Sequence, residues 1–147
     1  MILLDTNVLG RMLDTGDGQH STAIEAVAHL HQSQESLAIC PQNIVELYAI
    51  ATRTERGLGF SPAEALAEIA AIKARFVMLP DVPIHAKWEE LAAKYLVRNR
   101  RVFDMRLVCA AIVGGCAGIL TFNDADFSQF AEVRVMNPYD LLGRPRK

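Results

Sequence analysis

The chain has 147 residues, 51% of them hydrophobic and 22% charged, and a formal net charge of -2. That composition excludes disordered and fibrous classes, and the length suits one domain with a sizeable buried core. The charge balance offers no global attraction to nucleic acid, so binding of a polyanion would need local basic clusters or bound metal.

Residues 1–8 open with an apolar run that closes on Asp5, Thr6 and Asn7, the pattern of a buried parallel strand delivering polar groups at its C-terminal end. That end is where α/β sheets place their sites. Residues 9–13 start a helix that Gly16 and Gly18 break, and a second helix is expected over 21–34, N-capped by Ser21, with Ile24, Val27, Ala28 and His31 facing inward. Residues 37–40 read as a strand. After Pro41 a helix keeps Ile44, Leu47, Tyr48 and Ala51 at amphipathic spacing, with Glu46 just off the stripe.

Gly57 and Gly59 separate this helix from an alanine-rich one over 62–75, where Pro62 suits the first turn. A strand is expected over 76–79. The helix over 83–98 buries Trp88, Leu91, Ala92 and Tyr95 and ends in the basic run Arg98, Asn99, Arg100, Arg101. Another begins near Phe103 with Leu107, Val108, Ala111 and Ile112 inward. A strand over 118–121, a short helix over 125–131 and a last strand over 133–136 precede a basic tail of Arg144, Arg146 and Lys147. Alternating helices and strands imply a mostly parallel sheet covered on both faces. The two helices between residues 41 and 75 are expected to project as a pair, with a partner subunit as one candidate to cover them.

The longest apolar stretch, residues 107–120, is broken by glycines and falls short of the roughly 20 residues of a membrane span. No positive region precedes an apolar segment at the N-terminus, so a secretory signal is not read and the cytosol is the expected location. Cys40, Cys109 and Cys116 form an odd set without C-x-x-C spacing, which points to reduced, buried thiols. The histidines His20, His29, His31 and His85 show no ligand spacing, and His29 and His31 read as surface or packing residues.

Acids stand where elements start or end: Asp5 after the first strand, Glu46 early in a helix, Asp104 at a helix start, and Asp124 or Asp126 after the fourth strand. The helix dipole alone favours an acid at a helix start by about 0.3 to 1 kcal/mol, which would account for Asp104, Asp124 or Asp126 taken singly. Asp5 is different, because a carboxylate at the buried end of an apolar strand costs desolvation unless its charge is compensated. A divalent cation is the simplest compensation, and Mg2+ or Mn2+ fits an all-oxygen site. Such an ion activates water against phosphodiesters.

The segments Ile-Leu-Leu-Asp5-Thr6-Asn7, Asn43-Ile-Val-Glu46-Leu, Phe103-Asp104-Met-Arg-Leu-Val and Leu-Thr121-Phe-Asn123-Asp-Ala-Asp126-Phe127 resemble, in order, the four motifs of PIN-domain ribonucleases. The chain is similar to VapC-type toxins of bacterial toxin–antitoxin pairs, and the resemblance covers essentially its whole length. It implies a PIN-like α/β/α sandwich and assigns Asp5, Glu46 and Asp104 to the metal-binding acids. For the fourth it favours Asp126 over Asp124, with Asn123 bonding nearby. Thr6 and Asn7 would orient Asp5 or the metal waters, and Thr121 would do likewise from the fourth strand, or else all three cap turns. Met105 departs from the small residue that many relatives carry after the acid. The resemblance further implies an RNA substrate, a VapB-like antitoxin and a homodimer.

Arg106, Arg100 and Arg101 are the basic residues nearest Asp104 in sequence and the candidates for RNA contact, with Arg98 in the same run; for residues 98–101 a solvated helix end is the slightly favoured explanation. Two rivals remain. A phosphatase of the HAD class also starts with a strand ending in Asp, but needs a second Asp where Asn7 stands. A non-catalytic module with the same fold would keep the acids only as caps or ion holders.

Overall fold

In the computed structural model, which describes residues 1–146, five short strands form one parallel sheet in the order β3-β2-β1-β4-β5. These are β1 (Ile2–Leu4), β2 (Leu37–Ile39), β3 (Val77–Met78), β4 (Gly118–Leu120) and β5 (Arg134–Met136). β1 is central, with Leu3 opposite Ala38 on one side and Ile119 on the other. Successive side chains of a strand point to opposite faces, and β1, buried on both, sends Ile2 and Leu4 into one core and Leu3 into the other. Gly118 is needed for the β4–β5 approach: a Cβ there would stand 2.6 Å from the Arg134 carbonyl oxygen.

The first face is covered by α1 (Thr6–Leu13), α2 (His20–Gln32), α3 (Pro41–Thr52), α4 (Pro62–Arg75) and the short α8 (Pro138–Leu141). α5 (His85–Tyr95), α6 (Arg101–Val113) and α7 (Asp124–Phe127) cover the second. The expected α/β/α sandwich is thus formed, and its sheet is wholly parallel. α3 and α4 do not project unsupported, since Leu47 of α3 and Ile69 and Ile72 of α4 enter the same core; Val45 and Leu66 stay exposed.

Several boundaries differ from the sequence reading. The first strand ends at Leu4, and Thr6 and Asn7 already belong to α1. α2 starts at His20, so Ser21 is its second residue and no cap; its buried face is Ala23, Ala26, Val27 and Leu30, while Ile24, Ala28 and His31 are exposed. His31 instead stacks on Phe76 at 6.1 Å. α5 stops at Tyr95 because Leu96 turns left-handed (φ 51), so residues 98–100 connect two helices and α6 begins at Arg101. Of the basic tail, Arg144 and Arg146 pair with Glu25 and with Asp124 and Asp140, and Lys147 lies outside the described residues. The three cysteines are free and buried, and burial pushes each thiol up, Cys109 to about 11.

Candidate active site

With β1 central and its neighbours running outward in sequence on either side, the order of the chain reverses between β1 and β4. In open α/β sheets that reversal leaves a crevice at the C-terminal strand ends. Asp5 follows β1 there and Thr121 follows β4. The Thr121 hydroxyl donates to Asp5 Oδ2 at 2.6 Å, and Asn7 Nδ2 donates to the same oxygen at 2.7 Å. Asn7 also donates to Thr121 Oγ1 (3.0 Å) and accepts the Phe122 N–H (3.2 Å), so it ties both strand ends together. Burial pushes the Asp5 carboxyl up; the bond from Thr121 and the N–H groups of Asn7 and Thr6 counter it, and the Glu46 charge adds to the rise.

Glu46 projects from the second turn of α3 and is held on both oxygens. Thr6 Oγ1 donates to Oε2 at 2.6 Å and Gln42 Nε2 to Oε1 at 2.7 Å. Behind Thr6 stands Asn43, fully buried, whose Nδ2 donates to Thr6 Oγ1 and to the Leu4 carbonyl while its Oδ1 accepts the Cys40 N–H. Behind Gln42 stands Arg106, which donates to Gln42 Oε1 at 2.8 Å.

Asp5, Glu46 and Asp104 line one open cleft of about 760 Å³, together with Thr6, Asn7 and Asn123. Asp104 lies in the first turn of α6, half-buried, and its carboxyl is pushed up to about 6. Burial is the largest cause, followed by the negative charges of Asp126, Asp5 and Glu46; Arg101 pulls the other way. Three segments far apart in sequence thus put their acids on one cavity, and a fourth acid, Asp126, is close enough to act on Asp104. Asp124 faces elsewhere: its carboxylate accepts Asn137 Nδ2 at 2.9 Å and pairs with Arg146 at 3.0 Å.

Among the described residues no three His, Cys, Asp or Glu side chains close into a ligand cage. The donor set nonetheless fits magnesium or manganese, which take oxygen ligands, and magnesium keeps several waters and uses only one or two carboxylates. Burial first, and then the charges of Asp126, Asp5 and Glu46, disfavour a charged Asp104 carboxylate, and a cation at this place would offset both. No histidine lines the cleft.

Of the arginines expected near the acids, Arg100 lines the cleft, Arg101 acts on Asp104 only through its charge, and Arg106 is turned onto Gln42. Sequence reading missed Gln42, the part played by Asn43, and the cleft residues Arg11, Arg53 and Arg56. A polar pair directly after Pro41, on the first turn of an otherwise apolar helix, was the available signal for the first two.

A family model described as PIN domain matches residues 2–133. The chain belongs to the PIN domain family. Asn7, where a HAD phosphatase would carry an acid, is here the amide that fixes Asp5. No curated protein sequence matches the chain. Among solved structures, VapBC2 from Rickettsia felis bound to a promoter DNA fragment superimposes with a TM-score of 0.67 at 16% identity, covering 93% of this chain and 98% of that one. DNA-bound VapBC from Salmonella typhimurium gives 0.66 at 18% identity, over 94% and 99%. Mycobacterium tuberculosis VapC20, a Sarcin-Ricin loop cleaving toxin, gives 0.58 at 21% identity, over 91% and 99%. At these identities the likeness is one of fold, and it extends over nearly the whole of the PIN domain.

Proposed function

We propose that this PIN domain is a metal-dependent ribonuclease and the toxin of a VapBC-type toxin–antitoxin pair. The observation that carries this reading is the convergence of Asp5, Glu46 and Asp104 on one cleft at the switch point of the sheet, with Asp5 and Glu46 held by hydrogen bonds and Asp104 set among the like charges of the other acids. Asp5, Glu46, Asp104 and Asp126 are the residues that would hold Mg2+ or Mn2+. The ion, when bound, stabilises charge on the phosphoryl oxygens and lowers the pKa of the attacking water.

The chain's own groups orient the acids. Thr121 and Asn7 fix Asp5, while Thr6 and Gln42 fix Glu46, so that neither carboxylate has to reorganise when substrate arrives. The open cleft suits a single strand or loop, whose phosphates are accessible without a duplex groove. The named relatives include VapBC complexes and a Sarcin-Ricin loop cleaving toxin, which supports a VapB-like antitoxin as partner; a homodimeric toxin and action in the cytosol are proposed without support from those relatives. No helix among the described residues is long and apolar enough to cross a membrane.

The test is cleavage of single-stranded and structured RNA in magnesium, manganese or chelator, with wild type and the Asp5→Asn, Glu46→Gln and Asp104→Asn variants. Cleavage in magnesium alone or manganese alone, lost in chelator and in all three variants, is expected. Cleavage that survives chelator, or RNA binding with no cleavage by the wild type, overturns the proposal.

A further inference from the structure

The cleft that holds the acids has a second, oppositely charged wall. Arg53, Arg56, Gly57 and Leu58 line it from the C-terminal end of α3, and Arg100 lines it from the connection ahead of α6. Glu46 lies in α3 and Arg53 is the residue that caps its C-terminus, seven positions on, which is two turns and roughly 10 Å along the axis. Arg11, another lining residue, is committed: it bonds Gln19 and the Asn7 carbonyl and lies over the Phe122 ring. Arg53, Arg56 and Arg100 make no ion pair among the described residues. Asp14 and Asp17 also line the cleft, but Oδ1 of each accepts an N–H of its own turn, from Gly16 and Gln19.

The arginine wall is a built loop. Leu58 N–H donates to the Ile50 carbonyl (3.2 Å), Gly59 N–H to Arg53 (3.0 Å) and Phe60 N–H to Ala51 (2.8 Å), folding the chain back onto the last turn of α3. Gly57 permits this, since a Cβ there would stand 2.5 Å from the Arg53 carbonyl oxygen and 2.6 Å from that of Ile50. A helix C-terminus favours one cation through its dipole, which accounts for Arg53. It does not account for Arg56, which occupies the left-handed region at φ 55 that glycine adopts freely and an arginine rarely does.

We infer that Arg53 and Arg56 form a phosphate-binding wall for single-stranded RNA, taking backbone phosphates that neighbour the one at the acids. The inference rests on the nuclease reading for its substrate class, and it assigns the strand a path from the acids along α3 toward residues 53–58. Arginine suits this task, because its planar fork binds phosphate oxygens in pairs.

The test uses a fluorescently labelled single-stranded RNA of mixed sequence, bound in magnesium to the uncleaving Asp5→Asn protein with and without Arg53→Ala plus Arg56→Ala. Both arginines are exposed, so the fold should be unaffected, and a matching melting temperature verifies it. Each lost phosphate contact lowers the slope of log affinity against log salt by about 0.7 for a single strand, so a drop of roughly 1.4 and about tenfold weaker binding at low salt are expected. The double lysine variant should keep the slope. Gly57→Ala, which retains both arginines but displaces the loop, should weaken binding in the same direction. Unchanged affinity and slope in the double alanine variant, or no RNA binding by the parent protein, overturns the inference. The cleavage assay on wild type reads the nuclease proposal separately: cleavage with an unaltered slope sinks only the arginine wall, and slope loss without cleavage sinks only the nuclease.

Discussion

Gln42 donates through one amide nitrogen both to Glu46 Oε1 at 2.7 Å and to the Phe103 carbonyl at 3.3 Å, and so ties the acid of α3 to the turn of α6 that carries Asp104. Arg106, donating to Gln42 Oε1 at 2.8 Å, holds the amide in the orientation that points its NH2 at Glu46. Gln42→Ala should therefore cut activity by about 10- to 100-fold, the range seen when supporting partners of metal ligands are removed. The loss should appear as a higher magnesium requirement, with melting nearly unchanged. A variant with wild-type activity across a magnesium titration would show that Glu46 needs only Thr6.

The raised acids make stability depend on pH in a definite direction. A carboxyl whose folded pKa lies above its unfolded value binds more protons folded than unfolded, so stability falls as pH rises between the two. For Asp104 the window runs from 3.8 to about 6, and Asp5 adds in the same sense. In chelator the protein should melt at a lower temperature at pH 7.5 than at pH 4.5. Magnesium should stabilise it more at pH 7.5, where the acids are charged. Asp104→Asn should flatten the chelator profile; an undiminished slope in that variant would assign the effect to other groups.

The acids were legible in the sequence because each stands where a local pattern changes: Asp5 at the end of an apolar run, Asp104 at the start of a helix. The sheet was legible for the same reason, since strands buried on both faces read as short apolar runs. Of the groups that hold the acids, Thr121 and Asn7 on Asp5 were legible beside the motifs, whereas the Thr6 hydroxyl serves Glu46 rather than Asp5, and the support from Gln42 and Arg106 was not legible. The bond from Arg106 to Gln42 spans 64 residues, and although the polar pair after Pro41 stood out, nothing local paired it with Arg106. The run from Arg98 to Arg101 misled as a helix end, because nothing in its composition announced that Leu96 and Asn99 would adopt left-handed backbone and start a separate helix at Arg101. Nor could periodicity reveal that the loop after α3 returns to the cleft.

Asp124 and Asp126 sit in the same short helix and are separated by their partners. Asp126 raises the Asp104 carboxyl, whereas Asp124 is joined to Asn137 and Arg146. Asp126→Asn should lower activity at least tenfold, given its place among the like charges, and should bring the Asp104 carboxyl down. Asp124→Asn should leave activity near wild type and cost about 0 to 1 kcal/mol, as partly exposed ion pairs do. Cleavage rates and chemical unfolding of the two variants make the comparison, and the reverse ranking would move the fourth acid to Asp124.

Asn43 carries the structural load behind the site, because both its amide nitrogen and its amide oxygen bond buried partners, drawn from three segments. Its Oδ1 accepts the Cys40 N–H at 2.8 Å, and its Nδ2 reaches the Leu4 carbonyl at 3.1 Å and Thr6 Oγ1 at 3.0 Å, joining the end of β1 to the start of α3. Removing one partner from a buried polar group costs about 1–3 kcal/mol, so Asn43→Ala, which strands an N–H and a carbonyl, should destabilise by roughly 3 kcal/mol or more in urea unfolding. Val45→Ala, two positions along the same helix and 71% exposed, should change stability by no more than about 0.5 kcal/mol. Equal effects at the two positions would mean that Thr6 and Leu4 find other partners, and that the α3 acid is positioned by packing rather than by this amide.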